Sequence, residues 1–121
     1  MDRHIKLLVA DDHEVVRIGL RTLLSKFPHI EIVAEAADAQ ECLTLAAAAN
    51  PDIILMDIRL PRMSGIDACR EIKRTMPAIS VIMLTSYDSK EFVQEAMLAG
   101  ASGYILKEIG IEDLISPPTW G

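Results

Sequence analysis

Apolar and polar positions along this 121-residue chain follow two periods in turn. Short apolar runs occur at Ile5 to Ala10, Ile30 to Ala34, Ile53 to Met56, Ile79 to Thr85 and Ser102 to Leu106. Three of them are apolar almost throughout, without strict alternation, as expected of strands covered on both faces. Between the runs, apolar residues recur at helical spacing. Val16, Leu20, Leu23, Leu24 and Phe27 mark one face of a first helix, and Ala39, Leu43 and Ala46 mark a second. Cys69, Ile72 and Met76 mark a third, and Phe92, Val93, Ala96 and Met97 a fourth.

Start and stop signals agree. Asp38 with Glu41, Ser64 with Asp67 and Asp88 with Glu91 have capping-box spacing. For Asp38 and Asp88 a cap is also the whole expected role. Pro28, Asn50, Pro51, Pro77 and Gly100 punctuate helix ends. The pattern is a strand–helix unit repeated five times, which predicts a parallel sheet with right-handed crossovers and helices on both faces. No repeat, linker or low-complexity segment interrupts it before residue 115.

The end of the chain differs. Gly110 to Ile115 begins a fifth helix, but Ser116, Pro117 and Pro118 stop it after little more than one turn. We therefore expect one domain over residues 1–115, with residues 116–121 a linker, a truncation or an expression tail. So short a helix leaves its apolar dock on the sheet partly uncovered, which predicts self-association into a homodimer.

Composition narrows the function classes. A hydrophobic content of 50% is ample for one core. A net charge of −6 argues against direct grip on a phosphate backbone and favours a metal cation or a basic partner. No apolar run approaches the roughly 20 residues of a membrane span. Asp11 and Asp12 interrupt the first apolar stretch, and no signal-peptide cleavage site follows it, so the expected location is the cytoplasm. Cys42 and Cys69 fall within predicted helices without CxxC spacing, which reads as two buried thiols.

The candidate chemistry lies where the apolar runs end. Asp11 and Asp12 end the first, Asp57 the third and Thr85 the fourth, with Lys107 just after the fifth. Each has an ordinary reading by itself: an N-cap and its neighbour, a strand residue, a solvated lysine. Together they lie at carboxyl ends of strands, and a parallel sheet brings such ends to one edge. If the strand order is 2-1-3-4-5, it reverses between the first and third strands, where open α/β sheets hold their ligands. Three like charges in one crevice raise each other's pKa unless a cation offsets them. Oxygen-only ligation suits Mg²⁺, or Mn²⁺ in its place. A carboxylate beside a divalent ion and a lysine is equipped for phosphoryl transfer. His13 reads as an exposed first-turn residue, because hard Mg²⁺ prefers oxygen. His4 and His29 read as surface residues, and Met56, Met63 and Met97 as core or loop filler.

The stretches VADDHEVVR, ILMDIRLPRMSG, VIMLTS and GYILK resemble a response-regulator receiver domain of two-component signalling, over about Ile5 to Ile115. DDHEVVRIGL and GASGYILKE look most like the NarL/FixJ-type subgroup, whose members usually carry a C-terminal helix-turn-helix that binds DNA. The resemblance implies a flavodoxin-like fold. It implies Asp57 as phosphoacceptor from a sensor histidine kinase or a small donor such as acetyl phosphate. It also implies direct Mg²⁺ ligation by Asp12, ligation mainly through water by Asp11, and a further ligand in the Arg59 backbone carbonyl. Lys107 would pair with the phosphoryl oxygens, Thr85 would hydrogen-bond them, and Tyr104 would turn inward behind Thr85. The chain would be a self-phosphorylating and self-dephosphorylating switch, not an enzyme turning over an external substrate. Glu108 stands where many receivers have proline, and Arg59 and Tyr87 occupy positions where receivers vary.

Three other readings use the same fold or the same residues. A haloacid-dehalogenase-like phosphatase also uses Asp, Thr, Lys and Mg²⁺. Its nucleophile sits on the first strand, however, with an acid two residues later, where this chain has Arg59. A flavodoxin-like electron carrier needs a phosphate-cradling loop after the first strand, where Asp11 and Asp12 would repel a flavin phosphate. A stand-alone adaptor would lack the output domain.

Overall fold

The structure is a computed structural model that describes residues 4–86 and 91–107. Five strands alternate with four helices over these residues. They are β1 (Ile5–Ala10), α1 (Glu14–Leu24), β2 (Ile30–Ala36), α2 (Ala39–Ala49), β3 (Ile53–Asp57), α3 (Gly65–Thr75), β4 (Ser80–Thr85), α4 (Val93–Leu98) and β5 (Gly103–Leu106). All strand pairs are parallel, in the order β2-β1-β3-β4-β5. The fold is flavodoxin-like, as the sequence pattern and the resemblance imply.

The central strands β1, β3 and β4 bury both faces, which explains their lack of alternation. Leu8, Ala10, Ile54, Met56, Val81 and Met83 pack on one face against Cys42, Ala46, Cys69, Ile72 and Ala96 of α2, α3 and α4. Leu7, Val9, Leu55, Leu84 and Ile105 point the other way, toward Leu20 and Leu24 of α1. The residues between apolar positions are themselves core for the opposite layer. That is the reason a parallel central strand shows no polar side.

Local signals set several boundaries. Asp38 Oδ1 accepts the Glu41 N–H at 2.7 Å, and Glu41 returns a bond to the Ala37 N–H at 2.8 Å. Ser64 Oγ accepts the Asp67 N–H at 3.1 Å. Asn50 ends α2 with φ 54°, and Gly100 follows α4 with φ 110°. Strand ends differ by one or two residues: β2 runs on to Ala36, β3 takes in Asp57, β4 starts at Ser80 and β5 at Gly103.

The fourth helix is shorter than its apolar spacing indicates. Phe92 is its N-cap residue, and Met97 is 43% exposed instead of buried, leaving Ala96 as the buried helical residue. The Asp88–Glu91 cap, Tyr87, Glu108, the fifth helix and residues 116–121 lie outside the described residues, as does the self-association drawn from that helix. No helix among the described residues is long and apolar enough to cross a membrane. Cys42 and Cys69 are free and buried.

Candidate functional site

β1 and β3 are neighbours, and β2 lies on the far side of β1, so the strand order reverses between them. Asp11 follows β1, its backbone N–H bonded to the Ala36 carbonyl at the end of β2 at 3.0 Å. Asp57 is the last residue of β3, in register with Leu84, and Thr85 is the last of β4. Lys107 follows β5, whose Leu106 pairs with Thr85. The sheet therefore delivers all four to one edge.

Asp11 is fully buried, and Asp57 and Thr85 nearly or fully so. Lys107 Nζ lies 2.9 Å from Asp11 Oδ2 and 3.0 Å from Asp57 Oδ2. At these distances one ammonium holds both oxygens in charge-assisted contacts. Asp57 Oδ1 accepts the Arg59 N–H at 3.2 Å, and Asp11 Oδ1 accepts the His13 N–H at 2.8 Å. Burial pushes the Asp57 carboxyl above its ordinary pKa, and the charge of Asp11 adds to that; Lys107 and the Arg59 N–H pull it back only in part. Burial works against the Lys107 charge, but contacts with Asp11 and Asp57 outweigh it and hold this ammonium above its usual value. Ligand atoms of Asp11, Asp12, His13 and Asp57 all lie within 4.8 Å of one another. Two buried carboxylates that share one ammonium, beside a half-exposed third acid, are a fitting donor set for a hard divalent cation.

The loop after β3 is closed by a tight approach. The Gly65 N–H bonds to the Ile58 carbonyl at 2.8 Å, and a Cβ on Gly65 would stand 2.0 Å from the Asp57 carbonyl oxygen. Only glycine lets α3 begin this close to the strand end that carries the acid.

Two residues gain a place in the site that the sequence does not announce. Arg17, one turn into α1, donates to the Asp11 carbonyl oxygen and lies 3.4 Å from Glu35 on β2. Arg21 holds the same Glu35 with two bonds, at 2.8 and 2.9 Å, and keeps that carboxyl below its ordinary pKa. His13 is exposed at the start of α1, as expected, and also contacts the acids. It is the N-cap residue of α1, and its Nδ1 lies 2.9 Å from Asp11 Oδ1 and 3.2 Å from Asp12 Oδ1. Helical periodicity signals neither contact, because both run from side chains to the strand end that precedes the helix.

Thr85 Oγ1 donates to the Ser86 carbonyl at 3.1 Å. Tyr104 pairs in register with Met83 and is 46% exposed, so its ring faces outward. His4 is a surface residue bonded to Glu31 at 2.6 Å, and His29 is exposed beside the Phe27 ring. Met56 is core, and Met63 packs at its edge.

The Response regulator receiver domain family matches residues 7–117. The chain belongs to that family. It is 45% identical over 105 residues to the DNA-binding transcriptional activator DevR/DosR of Mycobacterium tuberculosis, covering 87% of this chain and 48% of that protein. It is 43% identical over 110 residues to the response regulator protein VraR of Staphylococcus epidermidis, covering 91% of this chain and 53% of the relative. This receiver thus spans about half the length of such relatives. Among solved structures, a LuxR-family two-component response regulator from an Aurantimonas species superimposes with TM-score 0.86 at 37% identity, over 93% of this chain and 81% of that one. The signal receiver domain of the putative response regulator NarL from Mycobacterium tuberculosis gives the same TM-score at 28% identity, over 94% and 92% of the two chains.

Proposed function

We propose that Asp57 accepts a phosphoryl group and that this receiver is a phosphorylation-dependent switch. The observation that carries the reading is the buried Asp57 carboxylate at the end of β3, with Oδ2 3.0 Å from the Lys107 ammonium and beside Asp11 and Asp12. An Asp57 oxygen attacks phosphorus, and the bond from phosphorus to the donor breaks. That bond runs to nitrogen in a phosphohistidine of a sensor kinase and to oxygen in acetyl phosphate. The donor leaves with the electron pair. Lys107 follows the developing charge onto the phosphoryl oxygens.

Mg²⁺, or Mn²⁺ in its place, would supply positive charge against those oxygens. Asp12 would ligate it directly and Asp11 mainly through water, with Asp57 and the Arg59 backbone carbonyl completing the protein ligands. The acceptor chemistry is a single transfer and its hydrolysis, not turnover of an external substrate. Arg59 stands two residues after Asp57, where a phosphatase of the haloacid-dehalogenase kind needs its second acid.

The new phosphoryl oxygens need donors. Thr85 Oγ1, now spent on the neighbouring Ser86 carbonyl, would turn to them, and the outward Tyr104 ring would swing inward behind it. Such differential contacts typically bias a two-state equilibrium by about 1–3 kcal/mol. The relatives, about twice this chain's length, support an output helix-turn-helix through which DNA is bound, and a histidine kinase as donor. A cytoplasmic location is part of the same proposed reading.

The test is incubation with acetyl phosphate and Mg²⁺, wild type against Asp57→Ala, read by intact mass. We expect a Mg²⁺-dependent gain of one phosphoryl group that disappears in the variant. Labelling that persists without Asp57 moves the acceptor elsewhere.

A further inference from the structure

We propose that Arg17 is a positioning residue: it fixes the peptide that joins Asp11 to Asp12 and so aims the acid that precedes α1 for magnesium. The inference rests on the magnesium part of the proposed function and adds a residue to it.

Asp11 is fully buried, and its main chain is held on both sides. Its N–H bonds to the Ala36 carbonyl at 3.0 Å, and its own carbonyl accepts a bond from Arg17 Nη1. That carbonyl belongs to the peptide leading into Asp12. A peptide is planar, so a guanidinium that fixes its oxygen also fixes the direction in which the chain leaves toward Asp12. Asp12 depends on this more than Asp11 does. The Asp12 side chain is 37% exposed, whereas Asp11 is held by burial and by the His13 N–H on Oδ1 at 2.8 Å.

Helix geometry explains the reach. Side chains on a helix lean toward its N-terminus, so the long Arg17 side chain returns past the first turn to the end of β1. It is 18% exposed, and its Nε lies 3.4 Å from Glu35 Oε1 on β2. Arg21 grips the same carboxylate with two bonds, at 2.8 and 2.9 Å. The planar fork of Arg17 thus has one side on Glu35 and another on the Asp11 carbonyl, which the point charge of a lysine does not reproduce. A network that merely held α1 against β2 would need only the contacts with Glu35. The bond to the Asp11 carbonyl goes beyond that need and ends at the site.

The experiment compares wild type, Arg17→Met, Arg17→Lys and Arg21→Gln by calorimetric titration with MgCl₂ and by amide NMR spectra of the metal-free chain. Arg21→Gln is the control, because it loosens Glu35 and leaves the bond to the Asp11 carbonyl in place. Thermal melts check the fold. We expect Arg17→Met to weaken Mg²⁺ binding by about tenfold or more, as loss of a group that orients a metal ligand does, while Arg21→Gln stays within about twofold. Acetyl phosphate labelling of Arg17→Met should need correspondingly more Mg²⁺ and return to the wild-type rate at saturating Mg²⁺. The Asp12 N–H shares a peptide with the bonded carbonyl, so its resonance should move in metal-free Arg17→Met and stay in place in Arg21→Gln. Arg17→Lys, which keeps the charge and the stem, should lose affinity in the same direction and move the same resonance. Wild-type behaviour of Arg17→Lys overturns the inference even if Arg17→Met does not fold. Unchanged Mg²⁺ affinity in Arg17→Met also overturns it, as does an equal loss in Arg21→Gln, which would make the network a support for α1 alone. Arg17-dependent Mg²⁺ binding without any labelling of Asp57 would instead overturn the phosphoacceptor reading alone. A wild type that binds no Mg²⁺ would end both the inference and the magnesium reading.

Discussion

Lys107 Nζ lies 3.0 Å from Asp57 Oδ2. The two residues belong to β3 and to the end of β5, and they meet because β4 lies between those strands and all three end at the same edge. The same ammonium lies 2.9 Å from Asp11 Oδ2, so one cation serves two buried acids. The site is short of positive charge by construction of the fold.

Removing that ammonium leaves both buried acids without the cation they share. Lys107→Met keeps the aliphatic stem, and we expect it to cost about 3 kcal/mol in metal-free urea unfolding. Mg²⁺ should restore part of the loss, because an ion that binds only the folded state stabilises it. A loss indifferent to Mg²⁺ would mean that Lys107 acts through packing.

The raised pKa of Asp57 fixes a pH dependence. The folded chain holds this proton more tightly than the unfolded chain does. Its contribution to stability is complete below the unfolded carboxyl pKa of about 3.9 and is lost as pH rises through the folded value. At neutral pH the ionised carboxylate is therefore destabilising. Asp57→Asn should raise metal-free stability at pH 7 by about 1 kcal/mol, as polar active-site positions often do. That gain should narrow as pH falls from 7 toward about 4 in parallel urea titrations.

Gly65→Ala places a Cβ 2.0 Å from the Asp57 carbonyl oxygen and 2.9 Å from its carbonyl carbon, both backbone atoms. The loop between β3 and α3 must move. We expect a destabilisation of about 1–3 kcal/mol and slower phosphorylation by acetyl phosphate. Ser64→Ala, one residue earlier, removes only the α3 cap, at about 1 kcal/mol, and should leave phosphorylation close to wild type.

Burial pushes the Cys42 thiol up to about 12, with the charge of Glu41 adding to it, and burial raises Cys69 as well. Thiolate is the reactive form, so both residues should resist a disulfide reagent at pH 8 in the folded chain and react on unfolding. Rapid labelling of the native protein would place one of them at the surface.

Much of the fold is legible along the chain. Runs such as Ile53 to Met56 are apolar on successive positions because both sheet faces are covered, and the capping signals at Asp38 and Ser64 act within one turn. The fourth helix was less legible. Phe92, Val93, Ala96 and Met97 have helical spacing, yet Met97 is exposed and the helix starts only at Val93. Apolar spacing states which residues can share a face, not how many of them the sheet has room to cover.

Local periodicity and chain order already specify the five strands, the four helices between them and the placement of Asp11, Asp12, Asp57, Thr85 and Lys107 at carboxyl ends of strands. That one ammonium bridges Asp11 and Asp57 emerges only once the strands are assembled. The same is true of His13 turning over the acids, Arg17 reaching back to the Asp11 carbonyl and Gly65 closing on Asp57. Those relationships depend on distances across the strand ends, and no periodicity along a chain encodes which side chain fills the space between two neighbouring strands.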